Sequence, residues 1–136
     1  MASKEKFILK VVDHKDQRYE TIGDWIPGNP AKITASKVGN PDYEFMILVH
    51  ELIEYYMCKK QGIPDRKIVK FDKRYEKDRI LGKHTPTSEP GNHKKAPYRR
   101  EHKFATKIEK MVGKALGVDW DEYSAYLMDA VDRKDA

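Results

Sequence analysis

The sequence predicts an α+β domain: a small antiparallel N-terminal sheet of about three strands, packed against a buried central helix and C-terminal helices. Two observations predict it. Short β-branched and aromatic runs, separated by Gly/Pro turns, occupy roughly the first forty positions and then give way to longer segments with helical spacing. Within those segments, residues 45–58 (FMILVHELIEYYMC) are apolar at eleven of fourteen positions, the pattern of a helix buried nearly all round. Strands followed by helices, with no alternation between them, separate α+β from a parallel α/β layout. A chain of 136 residues fits one core, and no repeat or linker divides it, so residues 1–136 read as a single domain.

The elements follow in order. Phe7-Ile-Leu-Lys-Val-Val12 is strand-like, and the alternating Arg18-Tyr-Glu-Thr-Ile22 is its expected hairpin partner. Gly23-Asp24 and Pro27-Gly-Asn-Pro30 are turn chemistry, and Lys32 to Val38 is a third strand. Asp42 or Asn40 is expected to cap a helix from about Tyr43 to Lys60, which Gly62 and Pro64 stop. A more polar helix covers Asp65 to about Arg79, and residues 82–97, with three prolines and two glycines, form an exposed loop. Pro97 opens a helix to Leu116 that Gly117 ends, and a last amphipathic helix follows Asp119. On the helix from Pro97, Phe104, Ile108, Met111, Val112 and Ala115 define the expected apolar face.

Composition narrows the function. No apolar stretch reaches the roughly 18 residues of a membrane span. The charged N-terminal residues and short apolar run Phe7–Val12 do not read as a signal peptide. A lone cysteine, Cys58, forms no intrachain disulfide and reads as an inert buried thiol, so a reducing, cytoplasmic setting is expected. The net charge of +5 is uneven, because residues 59–110 hold 17 Lys/Arg against 7 Asp/Glu. That segment reads as a solvated basic surface or as a weak nucleic-acid contact.

The chemistry lies in the central helix. Within residues 45–58 the only non-apolar residues are His50, Glu51 and Glu54, and a buried unpaired carboxylate costs several kcal/mol unless it finds a cation. At about 100° per residue, Glu54 lies about 40° from His50 and Glu51 about 100° from it, so all three share one arc. His50 and Glu54, four apart, can reach one ion. Glu51 is rotated toward a metal-bound water, the logic of a His-Glu-x-x-His zinc helix with Glu54 in the second histidine's place. A third ligand is expected from Ala96-Pro-Tyr-Arg-Arg-Glu-His102, from Glu101 or His102. His102 would complete the His₂Glu set of a catalytic zinc site, oriented by Glu109. The alternative is a buried ion-pair network in which Arg99, Arg100 or His102 neutralises Glu51 and Glu54. His14, His84 and His93 read as surface histidines, Asp72 is unassigned, and Glu89-Pro-Gly91 is placed to lie over the site.

Arg18-Tyr-Glu-Thr-Ile-Gly-Asp-Trp25, Tyr43-Glu-Phe45, Val49-His-Glu-Leu-Ile-Glu54, Phe71-Asp72, Glu89-Pro-Gly91, Ala96-Pro-Tyr-Arg-Arg-Glu-His102, Phe104-Ala-Thr106 and Leu116-Gly-Val-Asp-Trp120 together resemble a group of small phage and prophage proteins. That resemblance brings no activity with it. More distantly, strands followed by a His-Glu-x-x helix resemble the core of zincin-type metallopeptidases. The second resemblance implies a metal-dependent hydrolase or peptidase with Glu51 as general base. Glu54 in place of the second histidine admits iron or manganese beside zinc. The alternative function is a phage-related nucleic-acid-associated or interaction protein with a structural His/Glu cluster.

Overall fold

The computed structural model describes residues 4–86 and 88–134. Three strands, β1 (Phe7–Val12), β2 (Gly23–Ile26) and β3 (Ala31–Ser36), are followed by four helices. These are α1 (Pro41–Gln61), α2 (Asp65–Ile80), α3 (Arg99–Leu116) and α4 (Trp120–Lys134). The α+β class is as expected. The sheet, however, is mixed and not antiparallel throughout: β3 is central, β1 runs parallel to it and β2 antiparallel.

The reason lies in Arg18. Residues 18–22 do not pair with β1, because the Arg18 guanidinium is held by Asp24 (Nε to Oδ2 2.7 Å, Nη2 to Oδ1 2.9 Å) and by Asp65 (2.9 and 3.0 Å). This strut pins the segment against β2 and the start of α2, so the chain joins the sheet only from Ile22, whose carbonyl accepts from the Ser36 amide at 2.7 Å. Arg18 also donates to the Trp25 carbonyl, and the Asp24 carboxylate accepts from the Trp25 amide, so side chains cap two backbone groups of the edge strand β2. At the other edge, β1 leaves Phe7, Ile8, Leu9 and Val11 exposed.

Helix α1 begins two residues earlier than expected. Asn40 is its cap, accepting from the Tyr43 amide at 3.2 Å, with Pro41 in the first turn, where its missing N–H costs nothing. Gly62 ends it at φ 72°, in the left-handed region. Two apolar clusters flank its middle turns. Trp25, Ile33, Tyr55, Cys58 and Ile68 lie on one side, and Ala35, Met46, Ile47 and Tyr123 on the other. Cys58 is fully buried, and burial pushes its thiol pKa up, as expected of an inert thiol.

The expected apolar face of α3 is corrected. Phe104 and Met111 are 43% and 60% exposed, and the buried residues are Glu101, His102, Ala105, Glu109 and Gly113. Ala105 and Gly113 let α3 approach α1 closely: a Cβ on Gly113 would meet Met46 Cε at 2.6 Å. That closeness carries His102 and Glu109 to the polar arc of α1. No helix among the described residues is long and apolar enough to cross a membrane.

Candidate metal centre

The polar arc of α1 meets α3 at three atoms. His50 Nε2 lies 3.1 Å from Glu54 Oε2 and 3.3 Å from His102 Nδ1, and His102 Nδ1 lies 2.9 Å from the same Glu54 oxygen. A tetrahedral ion with bonds of about 2.0–2.1 Å separates its ligand atoms by about 3.3 Å, so the triangle is near the size that one such ion requires. All three residues are buried, and among the described residues they are the one His/Cys/Asp/Glu group gathered closely enough to hold a metal ion.

The outer atoms of the three side chains are also partnered. His50 Nδ1 lies 2.8 Å from Glu109 Oε1, and Tyr123 donates its hydroxyl to the other Glu109 oxygen. His102 Nε2 lies 3.1 Å from Glu89 Oε2. Glu54 Oε1 accepts from the Trp25 indole N–H at 3.0 Å. With the outer imidazole nitrogens assigned as donors to these carboxylates, the inner nitrogens of two neutral imidazoles present lone pairs to a carboxylate lone pair. Three acceptors converging in this way need a positive charge between them, either protons or a metal ion. Carboxylate–histidine pairs behind both inner nitrogens are the usual second layer of a metal site.

The electrostatics agree. Burial pushes the His50 pKa down, but the hydrogen bonds to Glu109 and Glu54 outweigh it and hold the pKa well above 6.5. For His102, burial is again overcome, here by Glu54 and Glu89, and the pKa is pushed up to about 9. Burial pushes Glu54 up, but hydrogen bonds from His102 and His50 bring it below the usual carboxylate range. Without an ion, the raised imidazoles carry the protons that sit between the three atoms, and a bound metal ion would take the place of those protons.

Glu51 differs. It is buried, yet its carboxylate stands 3.7 Å from His50 Nε2, too far for a hydrogen bond, and it makes none among the described residues. Burial first, and the Glu54 charge second, raise its pKa well above 4.5. It lines a cavity of about 900 Å³ shared with His50, Glu54, His102, Tyr19 and Thr106, whose buried hydroxyl has no hydrogen-bond partner.

Two glycines form the walls. A Cβ on Gly91 would meet His102 Cγ at 2.4 Å, and one on Gly23 would meet Glu51 Cγ at 2.7 Å. Bare backbone is what lets the imidazole and the carboxylate lie where they do.

Several expectations are corrected here. Glu109 orients His50 from across the helix interface, and Glu89 takes the place beside His102. Arg99 and Arg100 are exposed and pair with neither Glu51 nor Glu54. Glu101 is buried but stands outside the ligand group. His14 is half-buried, bonded to Ser36 and Glu20, while His84 stacks on Tyr75 with ring centroids 3.7 Å apart and His93 packs edge-on. Trp25 and Gly91 give no signal in the sequence beyond their place in the quoted motifs, and Tyr123 none beyond its place on the last amphipathic helix.

Asp72 finds its role beside the site. It accepts from the Tyr98 and Tyr19 hydroxyls at 2.6 and 2.9 Å, but burial outweighs these bonds and its pKa is pushed up to about 7. A carboxyl raised from 3.8 to about 7 on folding favours the fold below about pH 4, and that contribution is lost as pH rises toward 7. Relative to Asp72→Asn, wild-type stability should therefore fall by roughly 2–4 kcal/mol between pH 4 and pH 8. Urea unfolding of both proteins at the two pH values measures it, and a pH-independent difference would contradict the assignment.

Comparison of the chain with protein-family models, with curated proteins and with solved structures finds no match.

Proposed function

We propose that this chain is a metal-dependent hydrolase whose ion is held by His50, Glu54 and His102 and whose general base is Glu51. The supporting observation is the convergence of three acceptor atoms within 3.3 Å, each backed by its own partner. When bound, the ion would polarise a scissile carbonyl and lower the pKa of water. Two imidazoles and one carboxylate suit zinc first, with iron or manganese next in order. Glu51 lies beside the ligand triangle, without a hydrogen bond among the described residues and lining the cavity, where it takes the proton of an attacking water and returns it to the leaving group. Burial raises its pKa, the direction in which a carboxylate is tuned for general-base work. Substrates of the peptide or ester class are the place to begin. We extend the reading to the phage and prophage proteins that the chain resembles, since Val49–Glu54, Glu89–Gly91 and Ala96–His102 carry both the resemblance and the site.

Elemental analysis of protein purified without chelator should find about one transition metal per chain. His50→Ala combined with Glu54→Ala should bind none. Wild-type protein that stays metal-free after reconstitution with zinc, iron(II) and manganese would end this reading.

A further inference from the structure

The proposed site absorbs the inner face of α3 and leaves its outer face unexplained. Arg99, Arg100, Lys103, Lys107, Lys110 and Lys114 are all exposed, and at about 100° per residue all six fall within one arc of about 100°. Both acidic residues of the helix, Glu101 and Glu109, are turned inward and buried. None of the six cations has an ion-pair partner among the described residues. An ordinary solvated helix interleaves opposite charges three and four residues apart. Here Arg99–Lys103, Arg100–Lys103, Lys103–Lys107, Lys107–Lys110 and Lys110–Lys114 are like-charge neighbours at those spacings, and each such pair opposes the helix. The stripe is about 22 Å long.

A second observation points to the partner. Phe104 and Met111 border the stripe and are 43% and 60% exposed, outside the buried face formed by Glu101, His102, Ala105, Glu109 and Gly113. Lys110 lies over the Trp120 ring, 5.0 Å from its centroid, and lines the cavity. A cationic track bordered by an exposed aromatic ring suits single-stranded nucleic acid: phosphates follow the cations and a base stacks on Phe104. An anionic membrane would also be drawn to the charge.

We propose that the outer face of α3 binds single-stranded nucleic acid, its backbone running along Arg99 to Lys114 with a base stacked on Phe104. The proposal does not depend on the metal. Its two components leave different signatures. Binding of a fluorescent single-stranded oligonucleotide to the full chain should weaken with salt. The triple variant K103Q/K107Q/K114Q should flatten the log–log slope by about 2, since each phosphate left without its cation removes roughly 0.7. K103R/K107R/K114R should keep the wild-type slope. Phe104→Ala should leave the slope unchanged and lower affinity at every salt by about 5- to 150-fold, the range for one unstacked base. Gln is a good helix former and all the substituted positions are exposed, so circular dichroism should match wild type. No binding at low salt with micromolar protein would overturn the proposal. So would equal or tighter binding to phosphatidylserine vesicles, or a Phe104→Ala variant with wild-type affinity.

Discussion

Glu51→Gln is expected to keep its metal and lose its activity, whereas Glu54→Gln loses both. The two carboxylates sit one helical turn apart on α1, both buried, yet their surroundings differ. Glu54 Oε2 is one corner of the proposed ligand triangle and Oε1 accepts from the Trp25 indole, so an amide there removes the charge that the two imidazoles share. Glu51 touches no ligand atom within hydrogen-bond range and faces the cavity. An amide in its place keeps the size and loses the basicity, which for a general base is worth roughly 10²- to 10⁴-fold in rate. Elemental analysis and a screen of peptide and ester substrates, run on both variants beside wild type, make the contrast. If Glu51→Gln empties the site as fully as Glu54→Gln does, Glu51 is a ligand and the general-base assignment fails. If it leaves metal, fold and turnover intact, the base lies elsewhere.

Much of this site can be read from residue type and spacing alone. A carboxylate and an imidazole four apart in an apolar helix have few physical solutions, which singles out His50 and Glu54. His102 follows from the need for a third ligand on a neighbouring helix. What residue spacing cannot supply is the pairing across the interface. Glu109, seven residues and two turns from His102, shares a face with it. Which imidazole Glu109 meets depends on how far α1 is offset along α3, and that offset is set by Ala105 and Gly113. The sheet departs from expectation for a similar reason. Residues 18–22 alternate like a strand, but Arg18 finds two carboxylates, one of them 47 positions away, and no local pattern announces that. On α3, periodicity assigns Phe104 and Met111 to the core. The interior instead takes the polar and small residues, because the site occupies the space an apolar face would have filled.

The second large effect comes from a residue with no functional group. Gly91 lies in a 3₁₀ turn (Pro90–Asn92) at a φ that any residue can adopt, so an alanine there carries no left-handed strain. Its Cβ, however, would stand 2.4 Å from His102 Cγ, 2.5 Å from Nδ1 and 2.7 Å from Cδ2. The imidazole must move, and Nδ1 is the atom that would bind the ion. Gly91→Ala is therefore expected to weaken metal binding by about 10- to 100-fold or more, at least the range for disturbing the groups that orient a ligand. Gly23→Ala is the matched comparison. Its Cβ would meet Glu51 Cγ at 2.7 Å and Ile47 Cγ2 at 2.8 Å, displacing the carboxylate but none of the three ligand residues. It should retain metal at close to wild-type affinity while turnover falls. Competition titration with a chromophoric chelator measures the first effect, and the same substrate screen the second. The backbone at Gly91 is free to take alanine, so a folded Gly91→Ala protein with undiminished affinity would mean that His102 does not hold the ion. Equal loss of metal in both glycine variants would mean that the two walls deform together and that Glu51 is not separable from the ligand set.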